Sequence, residues 1–113
     1  MAPEQRATVL IVEDDLGLAR LVRVRLERAG YAVETATTAE EGMERMRRGG
    51  VDLLVIDQRL PTGLSGLQLY DRVKEAGIDV PAILATGFQR RGHAAPGDTR
   101  GGARFRKIGR AHV

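Results

Sequence analysis

The stretch Val51-Asp52-Leu53-Leu54-Val55-Ile56-Asp57 decides how the chain reads. Leu53 to Ile56 are consecutive apolar residues, two of them β-branched, and they run straight into a carboxylate. A short unbroken apolar run suits a strand buried on both faces, as in a parallel sheet covered by helices. Asp57 then stands at the carboxyl end of that strand, where open α/β sheets place their ligands. Taken alone, the stretch is equally consistent with an aspartate that merely opens a turn or caps a helix.

Working outward, Thr8-Val9-Leu10-Ile11-Val12 is a second run of the same kind, and it too ends in acids: Glu13, Asp14 and Asp15. Behind it Leu18, Leu21, Val22, Leu26 and Ala29 recur at helical spacing, with arginines on the other faces. Asp14 or Asp15 is placed to cap this helix and Gly30 to end it. Tyr31 to Ala36 mixes apolar and polar residues, which predicts a strand nearer the sheet edge. Thr38 and Glu41 have capping-box spacing, opening a helix that packs through Ala39, Met43 and Met46 and stops at Gly49-Gly50.

Beyond Asp57, Gln58 to Gly66 reads as a loop from its Pro and Gly content. Ser65 with Gln68 forms another capping box, flanked by Leu64 and Leu69 at the spacing of a hydrophobic staple. That helix runs through Leu69, Val73 and Ala76 to Gly77, and Pro81 to Ala85 is a fourth short strand ending at Thr86-Gly87. Right-handed crossovers lay a β-α-β-α-β-α-β chain into a parallel sheet with helices on both faces. The expected fold is α/β, a flavodoxin-like three-layer sandwich of strand order 2-1-3-4(-5), with the last unit degraded or missing.

At 113 residues the chain is one domain. It is 42% hydrophobic and 29% charged, a globular rather than a disordered balance. The absence of cysteine rules out disulfides, thiolate metal sites and cysteine nucleophiles. Met1 to Arg6 has no apolar core of signal-peptide length, and no run approaches a membrane span, so a soluble cytoplasmic protein is expected. The net charge of +3 hides a division: residues 1–86 carry 11 basic and 14 acidic residues, residues 87–113 seven and one.

In a flavodoxin-like sheet the first and third strands are neighbours, and their carboxyl ends meet at the topological switch point. Glu13 and Asp14 are thereby brought beside Asp57, with Thr86 arriving from the next strand. Converging carboxylates repel, so one pKa would rise unless a cation is shared. An all-oxygen ligand set with no His or Cys nearby in sequence favours Mg²⁺ or Mn²⁺ over zinc. A carboxylate beside such an ion can act as a nucleophile toward phosphorus. The Thr86 hydroxyl either bonds a phosphoryl oxygen or simply satisfies the frayed end of its strand.

Val12-Glu13-Asp14-Asp15, Asp52 to Pro61, Ser65-Gly66 and Ala85-Thr86-Gly87 resemble, in order, the motifs of the receiver domain of two-component response regulators. The resemblance covers about residues 7–88 of a domain taken as 7–113. It implies that Asp57 is the phosphoacceptor and that Glu13, Asp14, Asp57 and the backbone carbonyl of Arg59 hold Mg²⁺. It implies too that Thr86 is the switch hydroxyl, while Asp15 starts a helix and is no ligand. The phosphoryl group would come from a sensor histidine kinase or phosphotransfer protein and bias a two-state surface, so the chain would be a signalling domain and not an enzyme.

The chain departs from that family beyond Phe88, where apolar periodicity stops. Gly102 to Lys107 faintly echoes the family's approach to its lysine, which makes Lys107 a candidate for binding the phosphoryl group, although Ile108 and not proline follows. Ile108 to Val113 back-translates to ATC GGA AGA GCA CAC GTC, which in a common sequencing-library adapter is followed by a stop. Residues 89–113 are therefore expected to be a non-native tail, with the last strand and helix missing and any output domain lost. A nucleic-acid-binding arm is the rival reading, but apart from Phe88 and Phe105 the tail has no aromatic platform, and it has no recognition helix. His93 and His112 lack metal-ligand partners at useful spacing. For the acidic cluster the alternatives are a small Mg²⁺-dependent phosphohydrolase or flavodoxin-like binder, or a receiver fragment without function.

Overall fold

The computed structural model describes residues 6–60, 64–85 and the backbone of 86 and 104–107. In chain order the elements are β1 (Thr8–Val12), α1 (Leu16–Arg28), β2 (Ala32–Ala36), α2 (Ala39–Arg47), β3 (Leu53–Asp57), α3 (Gly66–Glu75), β4 (Ala82–Thr86) and β5 (Arg104–Lys107). They form one sheet of order β2-β1-β3-β4-β5. The pairings β1 with β2, β1 with β3 and β3 with β4 are all parallel.

Successive side chains in a strand point to opposite faces, so an unbroken apolar strand feeds two cores at once. Leu10, Val12, Leu54, Ile56, Ala82 and Leu84 enter one cluster, closed by Met46 of α2 and by Leu69, Tyr70 and Val73 of α3. Val9, Ile11, Val33 and Val55 enter the other, which Val22 and Leu26 of α1 cover. The result is three layers, with α1 on one face and α2 and α3 on the other.

Three expectations are corrected. Helix α1 buries Ala19 and packs Val22 and Leu26 inward, whereas Leu21 is 54% exposed. At about 100° per residue, Leu21 lies off the stripe that residues 19, 22 and 26 share. In the α2 cap, Thr38 Oγ1 accepts the Glu41 N–H at 3.1 Å as expected. The Glu41 carboxylate, however, accepts from Thr37, from its N–H at 2.7 Å and its hydroxyl at 3.0 Å. These bonds hold the Glu41 carboxyl below its usual pKa.

The third correction concerns the last strand. It is not missing: β5 pairs with β4, but antiparallel, with Thr86 opposite Arg104 and Ile83 opposite Lys107. A parallel neighbour needs a crossover element, usually a helix, and an antiparallel one does not. The sequence from Phe88 onward carries no helical periodicity with which to build one. The expectation of a non-native tail falls largely on residues 87–103 and 108–113, outside the described residues.

Candidate functional site

The last rung of the β1–β3 ladder pairs Val12 with Ile56. One step further, Glu13 and Asp57 leave the sheet side by side, and Asp14 follows. Glu13, Asp14 and Asp57 each offer a carboxylate oxygen, and these atoms lie within 4.8 Å of one another. Two oxygens bound to one Mg²⁺ at about 2.1 Å can be at most about 4.2 Å apart, so small rotations suffice to close the set on a hard cation. The donor set suits such an ion: three carboxylates and no nitrogen or sulfur.

Local hydrogen bonds hold this arrangement. Glu13 is only 5% exposed. Its backbone N–H donates to the Ala36 carbonyl at 2.9 Å, and its carboxylate accepts the Asp15 N–H at 2.9 Å. Burying a carboxylate is costly unless it is bonded or paired, which a cation would do directly. Asp15 is the N-cap of α1, accepting the Leu18 N–H at 3.1 Å, so it is engaged in starting the helix. Asp57 Oδ1 accepts the Arg59 N–H at 3.3 Å.

The first turn of α3 is seated directly against this strand end. A Cβ at Gly66 would lie 2.7 Å from the Asp57 carbonyl oxygen and 2.9 Å from both Ile56 Cγ2 and Leu84 Cδ1, so no larger residue fits without displacement. Ser65 and Gln68 complete the expected capping box, with bonds of 2.9 and 3.2 Å. Gln58 also bonds α3, a role the sequence did not announce because an isolated glutamine in a loop has no distinguishing pattern.

The remaining sequence-predicted residues are placed by register. Asp57 pairs with Ala85, and Thr86 follows it as the last residue of β4, at the same end of the sheet. Lys107 sits opposite Ile83, three residues before Thr86, about 10 Å of strand away from that end. The register therefore gathers Glu13, Asp14, Asp57 and the Thr86 backbone, and leaves the Lys107 backbone further back. A separate groove of about 530 Å³ between α1 and β2, lined by Leu16, Arg20, Arg23, Glu27 and Thr35 among others, contains none of Glu13, Asp14 and Asp57.

The profile of the response regulator receiver domain matches residues 9–101. The chain belongs to that family. Among curated proteins the receiver is 37% identical over 82 residues to the uncharacterized transcriptional regulatory protein YkoG of Bacillus subtilis, covering 73% of this chain and 36% of that protein. It is 36% identical over 80 residues to the transcriptional regulatory protein GlrR of Escherichia coli, covering 71% of this chain and 18% of that one. The chain thus spans about a third or less of the length of these relatives. Among solved structures it superposes on the non-phosphorylated HemR receiver domain from Leptospira biflexa with a TM-score of 0.60 and 36% identity, covering 75% of this chain and 69% of that one. The response regulator TrrA from Thermotoga maritima, in complex with Mg²⁺–BeF, gives a TM-score of 0.63 at 28% identity, covering 67% and 65%. Receiver domains are signalling domains, and among the described residues no helix is long and apolar enough to cross a membrane.

Proposed function

We propose that this receiver accepts a phosphoryl group on Asp57 and uses the resulting acyl phosphate to shift its own conformational equilibrium. The observation that carries the reading is the convergence of Glu13, Asp14 and Asp57 from two neighbouring strand ends. Glu13, Asp14, Asp57 and the Arg59 backbone carbonyl would hold Mg²⁺ or Mn²⁺. When bound, the cation neutralises the phosphoryl oxygens and so lowers the repulsion an incoming carboxylate meets. The Asp57 carboxylate attacks phosphorus, an O–P bond forms, and the P–N bond to a histidine of a sensor kinase or phosphotransfer protein breaks. The leaving nitrogen keeps the electron pair of that bond, and the proton already carried by the other ring nitrogen lets the imidazole depart neutral. Water later cleaves the acyl phosphate, releasing inorganic phosphate and restoring the carboxylate.

In this reading Thr86 supplies the hydroxyl that is drawn toward the phosphoryl group, biasing two pre-existing states. Lys107 is the weaker candidate, because its backbone sits three residues short of Thr86 along β4. The family's domain organisation suggests an output domain in the full protein, as in the transcriptional regulators it resembles. Incubation with Mg²⁺ and a small-molecule phosphodonor tests the proposal. A stoichiometric, acid-stable, base-labile adduct is expected, abolished by Asp57→Asn. Continuous turnover of the donor that survives Asp57→Asn would instead identify a phosphohydrolase, and neither adduct nor turnover would identify an inactive fragment.

A further inference from the structure

Gln58 directly follows Asp57, and all three of its described hydrogen bonds leave its own strand. Its N–H donates to the Ala85 carbonyl of β4 at 3.3 Å, and its carbonyl accepts the Gly66 N–H at 3.1 Å. Its side-chain Oε1 accepts the Leu67 N–H at 3.2 Å. Gly66 and Leu67 open α3, and the first N–H groups of a helix have no partner within it. Two of the first three are taken by the residue next to Asp57, and the third, of Gln68, goes to Ser65. The backbone bond between Gln58 and Gly66 fixes one point of the first turn, while Leu69, Tyr70 and Val73 anchor the body of α3 in the core. The side-chain bond adds a second point on the same turn, and the close approach of Gly66 to the Asp57 carbonyl keeps the segments in contact.

We infer that Gln58 is a positioning residue: its side-chain carbonyl latches the end of β3 to the first turn of α3 and holds the Asp57 carboxylate in line with Glu13 and Asp14. The inference rests on the proposed cation site. It concerns a residue that touches neither cation nor phosphoryl group, and it makes the placement of α3 part of the chemistry.

The test is a square of side chains at one position in the full chain: wild-type Gln58, Gln58→Asn, Gln58→Glu and Gln58→Asp. Within each pair charge is constant and only reach differs, since shortening by one methylene withdraws the oxygen from the Leu67 N–H. Two quantities are read: hydrogen-exchange protection of the Leu67 amide, and affinity for Mg²⁺ alone, followed by amide chemical shifts. Shortening is expected to reduce Leu67 protection and to weaken Mg²⁺ about fivefold in both pairs, the scale of one ordinary net hydrogen bond. Two results overturn the inference: Mg²⁺ affinity that follows charge but not length, or Leu67 protection that does not change with length. If wild type binds no Mg²⁺ at all, the cation site itself fails and the inference with it, a result distinct from a length-independent affinity.

Discussion

Replacing Gly66 by alanine puts the seating of α3 to a direct test. In an ordinary helix the exchange is favourable by about 0.5–1 kcal/mol, because glycine loses more backbone freedom on folding. Here the added Cβ would lie 2.7 Å from the Asp57 carbonyl oxygen and 2.9 Å from Ile56 Cγ2 and Leu84 Cδ1. Comfortable contacts between carbon atoms are about 3.5–4.0 Å. None of the three neighbours yields easily: one is backbone in a central strand, and Ile56 and Leu84 are 0% and 2% exposed. Overpacking of this kind costs about 1–3 kcal/mol, and three simultaneous clashes belong at the upper end. Net of the propensity gain, Gly66→Ala is expected to destabilise by about 2 kcal/mol. With a urea slope of about 1.5 kcal/mol/M, the unfolding midpoint falls by roughly 1.3 M. Gly17→Ala is the internal control, since its Cβ meets only Asp15 Oδ1, at 3.5 Å. That exchange should raise the midpoint slightly. A Gly66→Ala midpoint equal to or above wild type would refute the reasoning that α3 is held against the Asp57 carbonyl.

Other perturbations follow from the same structure. Leu54→Ala, in the central strand at 0% exposure, should cost about 2–5 kcal/mol in urea unfolding, and a loss below about 1 kcal/mol would mean that the site is not packed as described. The Arg45 guanidinium, hydrogen-bonded to Glu34, holds the Glu34 carboxyl below its usual pKa. A depressed folded-state pKa adds stability above the unfolded value and loses it as pH falls through the folded one. Glu34→Gln should therefore destabilise at neutral pH, by under about 1 kcal/mol because the Glu34 side chain is about half exposed, and the gap should vanish in acid. A gap that does not narrow as the pH is lowered through the carboxylate range would show that the pair's charge is not its source. Mg²⁺ at about 100 times its dissociation constant should stabilise the fold by about 2.7 kcal/mol, with the effect lost in Asp14→Asn. An equal rise in melting temperature for both proteins would place the ion elsewhere.

The strands were legible because burial on both faces leaves a signature that needs no partner to be read: Leu10 to Val12 and Leu54 to Ile56 are apolar without interruption and buried. The acids at their ends were legible for the same reason, since the strand order places Glu13, Asp14 and Asp57 together. The caps at Thr38 and Ser65 declared themselves by spacing. The inward face of α1 was less so, because Leu21 and Ala19 lie on nearly opposite faces and hydrophobicity alone prefers the leucine that the structure exposes. The return of β5 as an antiparallel strand depends on what crosses from β4, and the residues of Arg104–Lys107 carry no mark of direction. Gly66 looked like loop punctuation, whereas its real constraint is a carbonyl nine residues earlier, visible only in three dimensions.

The parallel ladder between β1 and β3 has a bearing on fidelity. If β3 slid by a single residue, Asp57 would turn to the opposite side of the sheet, and Leu54 and Ile56 would change places with Leu53 and Val55, each pair meeting an interior shaped for the other. Misfit of that kind costs about 1–3 kcal/mol at each overpacked position, a sizeable part of what keeps a small domain folded. Misalignment of the acids is thus forbidden not by the acids, which repel, but by the greasy residues beneath them. A chemically uneasy trio can persist because its alignment is underwritten from below.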